Sequence, residues 1–314
     1  VPPPANEGEF RRRRISGGIK AFALLSVDED LCVEDEDELC RLLSCHSDTS
    51  VKVVSMFGNT GDGKSYTLNH AFFSGGDVFE TSDRQESCTA GAWAALDPIS
   101  RAVVVDTEGM QAVSANENSR LRLLLKVLAI SDVVIYCTKA ERLHQDMFVF
   151  LEDASAAYCR YFQDEIKRAA ARTGSATGSS VGPHLVIFHE TRNTLPLGGE
   201  AHAALIQRFR VSAEGGHYFP VAYSDVDYIG SRFDGVRTDF GALQEAVRRA
   251  LERTTVRLHR PPAVVFEQLR ALTVKFNGDV TAPVYGSLPD LFFRCASKCL
   301  SCGVQCALTV CHDE

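Results

Sequence analysis

Residues 53–70 read VVSMFGNTGDGKSYTLNH, and the segment GNTGDGKS, from Gly58 to Ser65, matches the pattern G-x-x-x-x-G-K-[ST]. The apolar, β-branched run before the glycines is typical of a buried parallel strand, and SYTLNHAFF after them is typical of a helix. Backbone N–H groups in such a turn can point at phosphate oxygens, and the helix N-terminus favours negative charge. The stretch therefore predicts a phosphate-binding loop, in which Lys64 contacts the β- and γ-phosphates of a nucleotide and the Ser65 hydroxyl ligates Mg²⁺.

A second apolar run, VVVDTEG at residues 103–109, ends in polar residues and a glycine. We expect Asp106 to hold the same Mg²⁺, because a hard cation prefers oxygen ligands, and we expect the Gly109 N–H to contact the γ-phosphate. Between the two motifs, QESCTAGAWAALDP at residues 85–98 contains Thr89, whose hydroxyl can complete the coordination. The predicted Mg²⁺ ligands are Ser65, Thr89 and Asp106.

Strand and helix patterns alternate along the rest of the chain, which predicts a mostly parallel sheet with helices on both faces, the α/β fold of P-loop NTPases. Strands are predicted at FALL, VKVVSMFG, RAVVVDTEG, SDVVIYCT, HLVIFHE and YFPVAYSDV, with a further short strand inside the acidic stretch before Asp35. Helices are predicted near Asp35, at SYTLNHAFF, at SRLRLLLKVLA, from Leu143 to Ile166, at AALIQRFR, after an N-cap at Asp239, and at AVVFEQLRALTVKF. We predict a flexible basic tail at residues 1–20, the NTPase domain at 21–260, a helical extension at 261–290 and the start of a Cys-rich module at 291–314.

The composition of the chain is that of a globular protein and argues against a nucleic-acid-binding or membrane-spanning protein. The chain has 314 residues, of which 45% are hydrophobic and 24% charged, as in a globular protein. A net charge of −8 argues against a general nucleic-acid partner. No apolar run reaches the roughly 18 residues that span a bilayer. Because the chain starts at Val1 without a signal-peptide pattern and its core cysteines are scattered, we expect a fragment of a longer, cytoplasmic protein.

The motifs carry a family resemblance. GNTGDGKS, SCTAGAW and DTEG together resemble the guanylate-binding protein and atlastin branch of dynamin-like large GTPases. VKVVSMFGNTGDGKSYTLNH, QESCTAGAWAALDP, LLLKVLAISDVVIY and VIFHET are more closely similar to the nucleotide-binding region of proteins that carry two FYVE zinc fingers, over residues 22–306. The resemblance implies an ATP- or GTP-hydrolysing enzyme, with ATP favoured, and a nucleotide-dependent homodimer.

Further catalytic residues follow from the same resemblance. It implies that Ser87, two residues before Thr89, and Glu108 form a hydrogen-bonded relay to the attacking water. With Lys64 and Thr89, they complete the predicted catalytic set.

Two positions depart from related enzymes. Met110 stands where many small GTPases have a glutamine that orients water, and Gly61 stands where the resembled branch has an arginine that stabilises the transition state. We therefore expect slow turnover unless Arg84, Arg120 or a dimer partner supplies the positive charge.

The base-reading segment also departs from the pattern of the branch, which reads guanine with the aspartate of an R-D pair. Here the predicted strand HLVIFHE runs into FHETRN, residues 188–193. Glu190 can replace the aspartate while His189 or Arg192 stacks on the base; alternatively, guanine selectivity has been lost. The predicted nucleotide-contacting residues are Gly58, Asn59, Thr60, Gly61, Asp62, Gly63, Lys64, Ser65, Tyr66, Gly109, His189 and Glu190.

The last predicted module is defined by its cysteines. Cys295, Cys299, Cys302 and Cys306 follow the spacing C-x3-C-x2-C-x3-C, which can close a tetrahedral zinc site. The alternative is that the chain ends inside a zinc module and leaves an open half-site. By resemblance, membrane association would come from FYVE fingers, which are absent from this sequence.

Two functions follow from these patterns. One is a Mg²⁺-dependent NTPase whose nucleotide state controls dimerisation and membrane remodelling. The other is a nucleotide-gated interaction or scaffold module with negligible turnover, which Met110, Gly61 and the altered base motif favour. By resemblance, the setting is the endoplasmic reticulum at sites of autophagosome formation, autophagosome precursors, lipid droplets and the Golgi.

Overall fold

The computed structural model describes residues 18–81, 89–110, 117–174, 182–210, 218–253, 258–277, 293–295, 297–298, 301–304, 306 and 308–310. The predicted basic tail therefore lies almost entirely outside the described residues. Within these ranges, none of the helices combines the length and the apolar character that crossing a bilayer requires.

The described strands form one seven-stranded sheet. They are β1 (Phe22–Leu25), β2 (Lys52–Phe57), β3 (Ala92–Asp97), β4 (Ala102–Thr107), β5 (Val133–Thr138), β6 (His184–Thr191) and β7 (Asp225–Arg232). Their order across the sheet is β1-β3-β4-β2-β5-β6-β7. Strands β4, β2, β5, β6 and β7 pair in parallel, whereas β3 is antiparallel to both β1 and β4. The mostly parallel sheet confirms the predicted α/β fold class.

Helices cover both faces of the sheet. They are α1 (Glu36–Leu42), α2 (Lys64–Phe72), α3 (Glu117–Ile130), α4 (Gln145–Ala157), α5 (Gln163–Arg172), α6 (Gly199–Arg210), α7 (Phe219–Ala222), α8 (Gly241–Glu252) and α9 (Pro262–Phe276), and a π-helical turn, Tyr158–Phe162, joins α4 to α5. Successive side chains of a strand point to opposite faces. In β2, accordingly, Val53 lies in the core cluster that holds α3, α4 and α9, and Val54 lies in the cluster that holds α2 and α8.

Helix α9, which the sequence predicts as an extension, is part of this core. It packs on α1, α3 and α5, and Leu272 and Phe276 are fully buried. From the Cys-rich segment, Phe293 joins the same core, with its ring centroid 4.8 Å from that of Phe162 and 5.2 Å from that of Phe276. We propose that the NTPase domain continues through α9, beyond the boundary at residue 260.

Several local predictions are wrong. Strand β3 is missing from the predicted strands. The strand predicted at YFPVAYSDV is instead the short helix α7 followed by β7, and Pro220 in the first turn of α7 suits a helix start. The short strand predicted in the acidic stretch is only an isolated bridge between Leu25 and Leu31. Asp239 precedes the N-cap position of α8, although its Oδ1 accepts a hydrogen bond from the Gly241 N–H at 2.8 Å.

Candidate nucleotide-binding site

The phosphate loop connects β2 to α2, and side chains within and beside it hold its shape. Asp62 Oδ2 accepts a hydrogen bond from the Asn59 N–H at 2.9 Å, and its Oδ1 accepts from the Lys139 N–H at 3.3 Å. Burial raises the pKa of Asp62, whereas the hydrogen bonds from the Lys139 and Asn59 N–H groups lower it. The Lys64 ammonium lies inside the loop and donates to the carbonyl oxygens of Gly58, at 3.3 Å, and Asn59, at 3.1 Å. The loop is therefore a closed turn around a buried cation.

Gly63 sets the start of helix α2. Its φ of 71° is in the left-handed region, which glycine adopts readily, and no side chain caps the helix at this end. The first N–H groups of a helix have no partner within the helix, and the helix dipole adds positive potential there. An anion is favoured at this end of α2, as the sequence predicts.

The three predicted Mg²⁺ ligands meet beside the loop. Ser65 Oγ donates to Asp106 Oδ2 at 2.6 Å, Thr89 Oγ1 donates to the same oxygen at 3.1 Å, and the two hydroxyl oxygens are 3.3 Å apart. Asp106 Oδ1 is buried and has no hydrogen-bond partner in the described part of the chain. Burial raises the pKa of Asp106, while the bond from Ser65 and the charge of Lys64 oppose this rise. Two hydroxyls and a buried carboxylate with an unused oxygen are an oxygen donor set that fits Mg²⁺.

The segment after β4 lies directly against the phosphate loop. The Met110 N–H donates to the Gly58 carbonyl at 3.2 Å, and the Glu108 N–H donates to the Gly91 carbonyl at 3.0 Å. A Cβ added to Gly109 would lie 2.6 Å from the Thr60 backbone nitrogen and 2.7 Å from its Cα. Only a glycine allows this approach, so the D-T-E-G segment packs directly on the backbone of the loop.

The structure locates only part of the predicted catalytic set. Glu108 is partly exposed next to the loop. Ser87 and Arg84 lie outside the described residues. Arg120 lies in the first turn of the described part of α3 and is buried. The water relay and the source of a transition-state charge stay predictions.

His189 is not placed to stack on a base, contrary to prediction. The ring is buried, and burial lowers its pKa, so it is neutral near pH 7. Nε2 lies 2.6 Å from the Ala140 carbonyl oxygen and Nδ1 lies 2.9 Å from the Tyr228 hydroxyl. Because a carbonyl only accepts, Nε2 carries the proton and Nδ1 accepts from Tyr228. The imidazole therefore joins β6, β7 and the segment after β5.

Glu190 does lie at the expected edge of the sheet, but its carboxylate already has neighbours. Oε2 accepts a short hydrogen bond from the Thr238 hydroxyl, and Oε1 is 3.8 Å from the Lys139 ammonium. Neither Thr238 nor Lys139 belongs to a motif, so the sequence gives no sign of these two partners. Arg192, the other stacking candidate, is exposed with its guanidinium 5.7 Å from the Phe233 ring centroid.

Tyr66, in the first turn of α2, is the exposed aromatic side chain at this end of the loop. The residue is 39% exposed, and its ring centroid lies 4.0 Å from that of His70. Phe240 lies behind both rings, 6.1 Å from that of Tyr66. The ring therefore packs beside two aromatic rings and stays partly accessible to solvent.

The structure does not test the zinc prediction. Cys299 lies outside the described residues, and among the described ones no group of three or more His, Cys, Asp or Glu side chains is placed to hold a metal ion. Among the described residues, Cys295, Cys302 and Cys306 form no disulfide. The Cys295 N–H donates to the Leu308 carbonyl at 2.9 Å, and the Cys306 N–H donates to the Ser297 carbonyl at 2.9 Å. Zinc stays a prediction for this segment.

Comparison with curated proteins identifies close relatives. The chain is 46% identical, over 98% of its length, to Zinc finger FYVE domain-containing protein 1 of Homo sapiens and to that of Mus musculus. The same protein of Pongo abelii is 45% identical over 98% of the chain. The chain spans about 40% of the length of these relatives. They confirm the closer of the two resemblances that the quoted segments indicated. No protein-family model matches the chain.

Solved structures give weaker likenesses. Toc33 from Arabidopsis thaliana in complex with GDP and Mg²⁺ is 13% identical, with a TM-score of 0.40 over 68% of this chain and 88% of that one. A dimerisation-deficient mutant of Toc33 is 14% identical, with a TM-score of 0.38 over 72% of this chain and 93% of that one. The bacterial selenocysteine-specific elongation factor EF-Sec is 11% identical, with a TM-score of 0.38 over 65% of this chain and 29% of that one. The fold class rests on the chain's own strand order and phosphate loop, not on these superpositions.

Proposed function

We propose that the chain is a Mg²⁺-dependent nucleoside triphosphatase that acts on ATP, with GTP as the alternative substrate. The observation that carries the proposal is the meeting of Ser65, Thr89 and Asp106 beside the phosphate loop, with Asp106 Oδ1 buried and unpartnered among the described residues. Burying an ionised carboxylate with one oxygen unpartnered is costly, and a bound cation would offset that cost. A nucleotide with its metal supplies that cation at this place.

The chain's own residues account for binding and orientation. The N–H groups at the start of α2 bind phosphate oxygens, and Lys64 lies close enough to the same loop to neutralise them. Ser65, Thr89 and Asp106 would hold Mg²⁺, which would supply positive charge to the bound phosphates. Because Gly109 touches Thr60, a γ-phosphate that orders the loop would also order the D-T-E-G segment. We propose that Glu108, with Ser87, orients the attacking water.

The second candidate is a nucleotide-gated binding module with negligible turnover. Its specific support is at two positions: the Met110 side chain packs against the apolar core, where it cannot orient water, and Gly61 has no side chain to offer a transition-state charge. Under this alternative, nucleotide binding matters and hydrolysis does not.

Two variants distinguish the candidates. Lys64→Ala removes the cation of the loop and should abolish nucleotide binding under either candidate. Glu108→Ala should leave ATP binding within about twofold and, if the chain is an NTPase, lower turnover about tenfold or more, as for the loss of a general acid–base group. Binding is measured by equilibrium dialysis and turnover by phosphate release. Unchanged turnover in Glu108→Ala would favour the binding module.

The wider role is proposed from resemblance. We infer that the nucleotide state controls homodimerisation and that dimerisation serves membrane remodelling at the endoplasmic reticulum, in autophagosome formation and on lipid droplets. The support is the likeness of the three motifs to the dynamin-like branch and the likeness of the chain to relatives named for FYVE zinc fingers. Sedimentation of the chain with and without a non-hydrolysable ATP analogue tests the dimer, and an unchanged sedimentation coefficient would contradict it.

A further inference from the structure

Lys139 lies between the phosphate loop and the end of β6. It directly follows β5, which lies between β2 and β6 in the sheet. Its N–H donates to Asp62 Oδ1 at 3.3 Å, so the carboxylate of the loop fixes where the side chain starts. A Cβ added to Gly63 would lie 2.7 Å from Lys139 Nζ and 3.0 Å from its Cε. The ammonium therefore rests on the residue that starts helix α2.

A nucleotide held by the loop must extend past this ammonium. Its phosphates lie at the N-terminus of α2, and ligands of open α/β sheets bind outside the carboxyl ends of the strands. Glu190, the proposed base-reading residue, is at that end of β6, two strands from β2, which is about 10 Å across the sheet. A nucleoside that reaches from the loop toward Glu190 crosses the end of β5, where Lys139 stands.

The surroundings leave the ammonium available to a ligand. Nζ is 3.8 Å from Glu190 Oε1, too far for a hydrogen bond, and in the described part of the chain it makes no hydrogen bond. It lies 5.9 Å from the centroid of the Tyr66 ring. The Lys139 side chain is 27% exposed, whereas that of Glu190 is 4% exposed. Of the two charged groups at this end of the site, Lys139 is the more accessible.

We propose that Lys139 binds the nucleoside of the bound nucleotide, donating from its ammonium to an acceptor on the ribose or the purine, beside the Tyr66 ring. The assignment rests on the proposed nucleotide-binding function and adds a residue to it. Both adenine and guanine present N7 as an acceptor, so the contact strengthens binding of both purine nucleotides. Glu190 has one oxygen bonded to Thr238 and presents only Oε1 toward Lys139, so it does not offer guanine a pair of open acceptors.

The test separates the nucleoside from the phosphates. Titration calorimetry of the whole chain with the Mg²⁺ complexes of ATP, GTP and inorganic tripolyphosphate compares wild type with Lys139→Met, which keeps the stem and removes the charge. A charge-assisted hydrogen bond predicts about tenfold to hundredfold weaker binding of both nucleotides. Tripolyphosphate should bind within about twofold of wild type. Lys139→Arg, which restores a donor, should recover most of the affinity, and the exposed Lys20→Met serves as the matched control.

Each other outcome overturns the assignment. Unchanged affinity for ATP and GTP in Lys139→Met would show that the ammonium does not bind the nucleoside. An equal loss for tripolyphosphate would make Lys139 a phosphate ligand or a support of the loop instead. If wild type binds neither the nucleotides nor tripolyphosphate, the proposed function itself fails, which is a different result from a nucleoside-specific loss.

Discussion

Replacing Asp106 by asparagine should separate the stability of the chain from its binding of magnesium. Burial raises the folded-state pKa of Asp106 above the ordinary value of an aspartate. A carboxyl whose pKa is raised on folding contributes stability that is fully present below its unfolded pKa and is lost as pH rises through the folded pKa. At neutral pH, the ionised group therefore destabilises the metal-free fold. Asparagine still accepts from Ser65 without burying a charge, so the metal-free variant should unfold at or above the wild-type temperature.

MgATP, in contrast, should stabilise the wild-type chain more than it stabilises Asp106→Asn. With MgATP at 100 times its dissociation constant, a two-state wild-type chain gains about 2.7 kcal/mol. Typical unfolding entropies per residue convert this gain, for a chain of 314 residues, to a rise in Tm of about 4 °C. Without the Asp106 carboxylate, the rise should be less than about 1 °C. Because protons and Mg²⁺ compete for the carboxylate, the wild-type Mg²⁺ affinity should also increase as pH rises through the folded pKa.

Differential scanning calorimetry with MgATP and with ATP plus EDTA measures both effects. Asp97→Asn is a matched control, since Asp97 is also buried but accepts from the Ile99 N–H at 3.1 Å and the Ser100 hydroxyl at 2.7 Å. It should lose about 1 kcal/mol of stability and keep the full MgATP shift. A full shift in Asp106→Asn would refute the assignment of Asp106 as a magnesium ligand.

Two further predictions concern the fold around the site. Glu29 is fully buried and pairs with two buried cations of α3 at 2.5 and 2.6 Å, so Glu29→Gln should cost about 3–5 kcal/mol in urea unfolding. Glu245→Gln breaks a solvent-exposed pair and should leave the unfolding midpoint almost unchanged. Equal costs for the two variants would contradict the reasoning. In Gly109→Ala the new Cβ would clash with the Thr60 backbone. The loop would have to shift at a cost of about 1–3 kcal/mol, so titration calorimetry should show MgATP binding at least about tenfold weaker than in wild type. Wild-type affinity would show that the D-T-E-G segment tolerates displacement.

The strands that carry the site could be predicted because their signal is local. Strands β2, β4, β5 and β6 are buried throughout and read as continuous apolar runs, as central parallel strands do. Strand β3 has few β-branched residues, and its pairing with β4, for example Ala94 with Val105, is decided by distant sequence. Strand β7 lies at the edge of the sheet and only some of its residues are buried, so its sequence lacks a continuous apolar run. The preceding YFPVAYSDV is more apolar, and it therefore resembles a strand more than β7 does.

The sequence predicts those residues of the site that stand in a recognised motif. Ser65, Thr89 and Asp106 each stand in a motif, and the fold brings them together. Lys139 could not be predicted because it belongs to none of the nucleotide-binding motifs. Its only signal is its place directly after β5, one strand before the expected base-reading segment. The tautomer and partners of His189 depend on Tyr228 and Ala140, which only the folded chain places beside it.

Phosphate release from ATP and from GTP, with Mg²⁺ and with EDTA, across a range of chain concentrations, tests the central claim most directly. The account predicts slow release that requires Mg²⁺, disappears in Lys64→Ala and increases per chain with concentration if a dimer partner supplies the missing charge. Tight nucleotide binding without Mg²⁺-dependent release at any concentration would contradict the NTPase and leave a nucleotide-gated binding module.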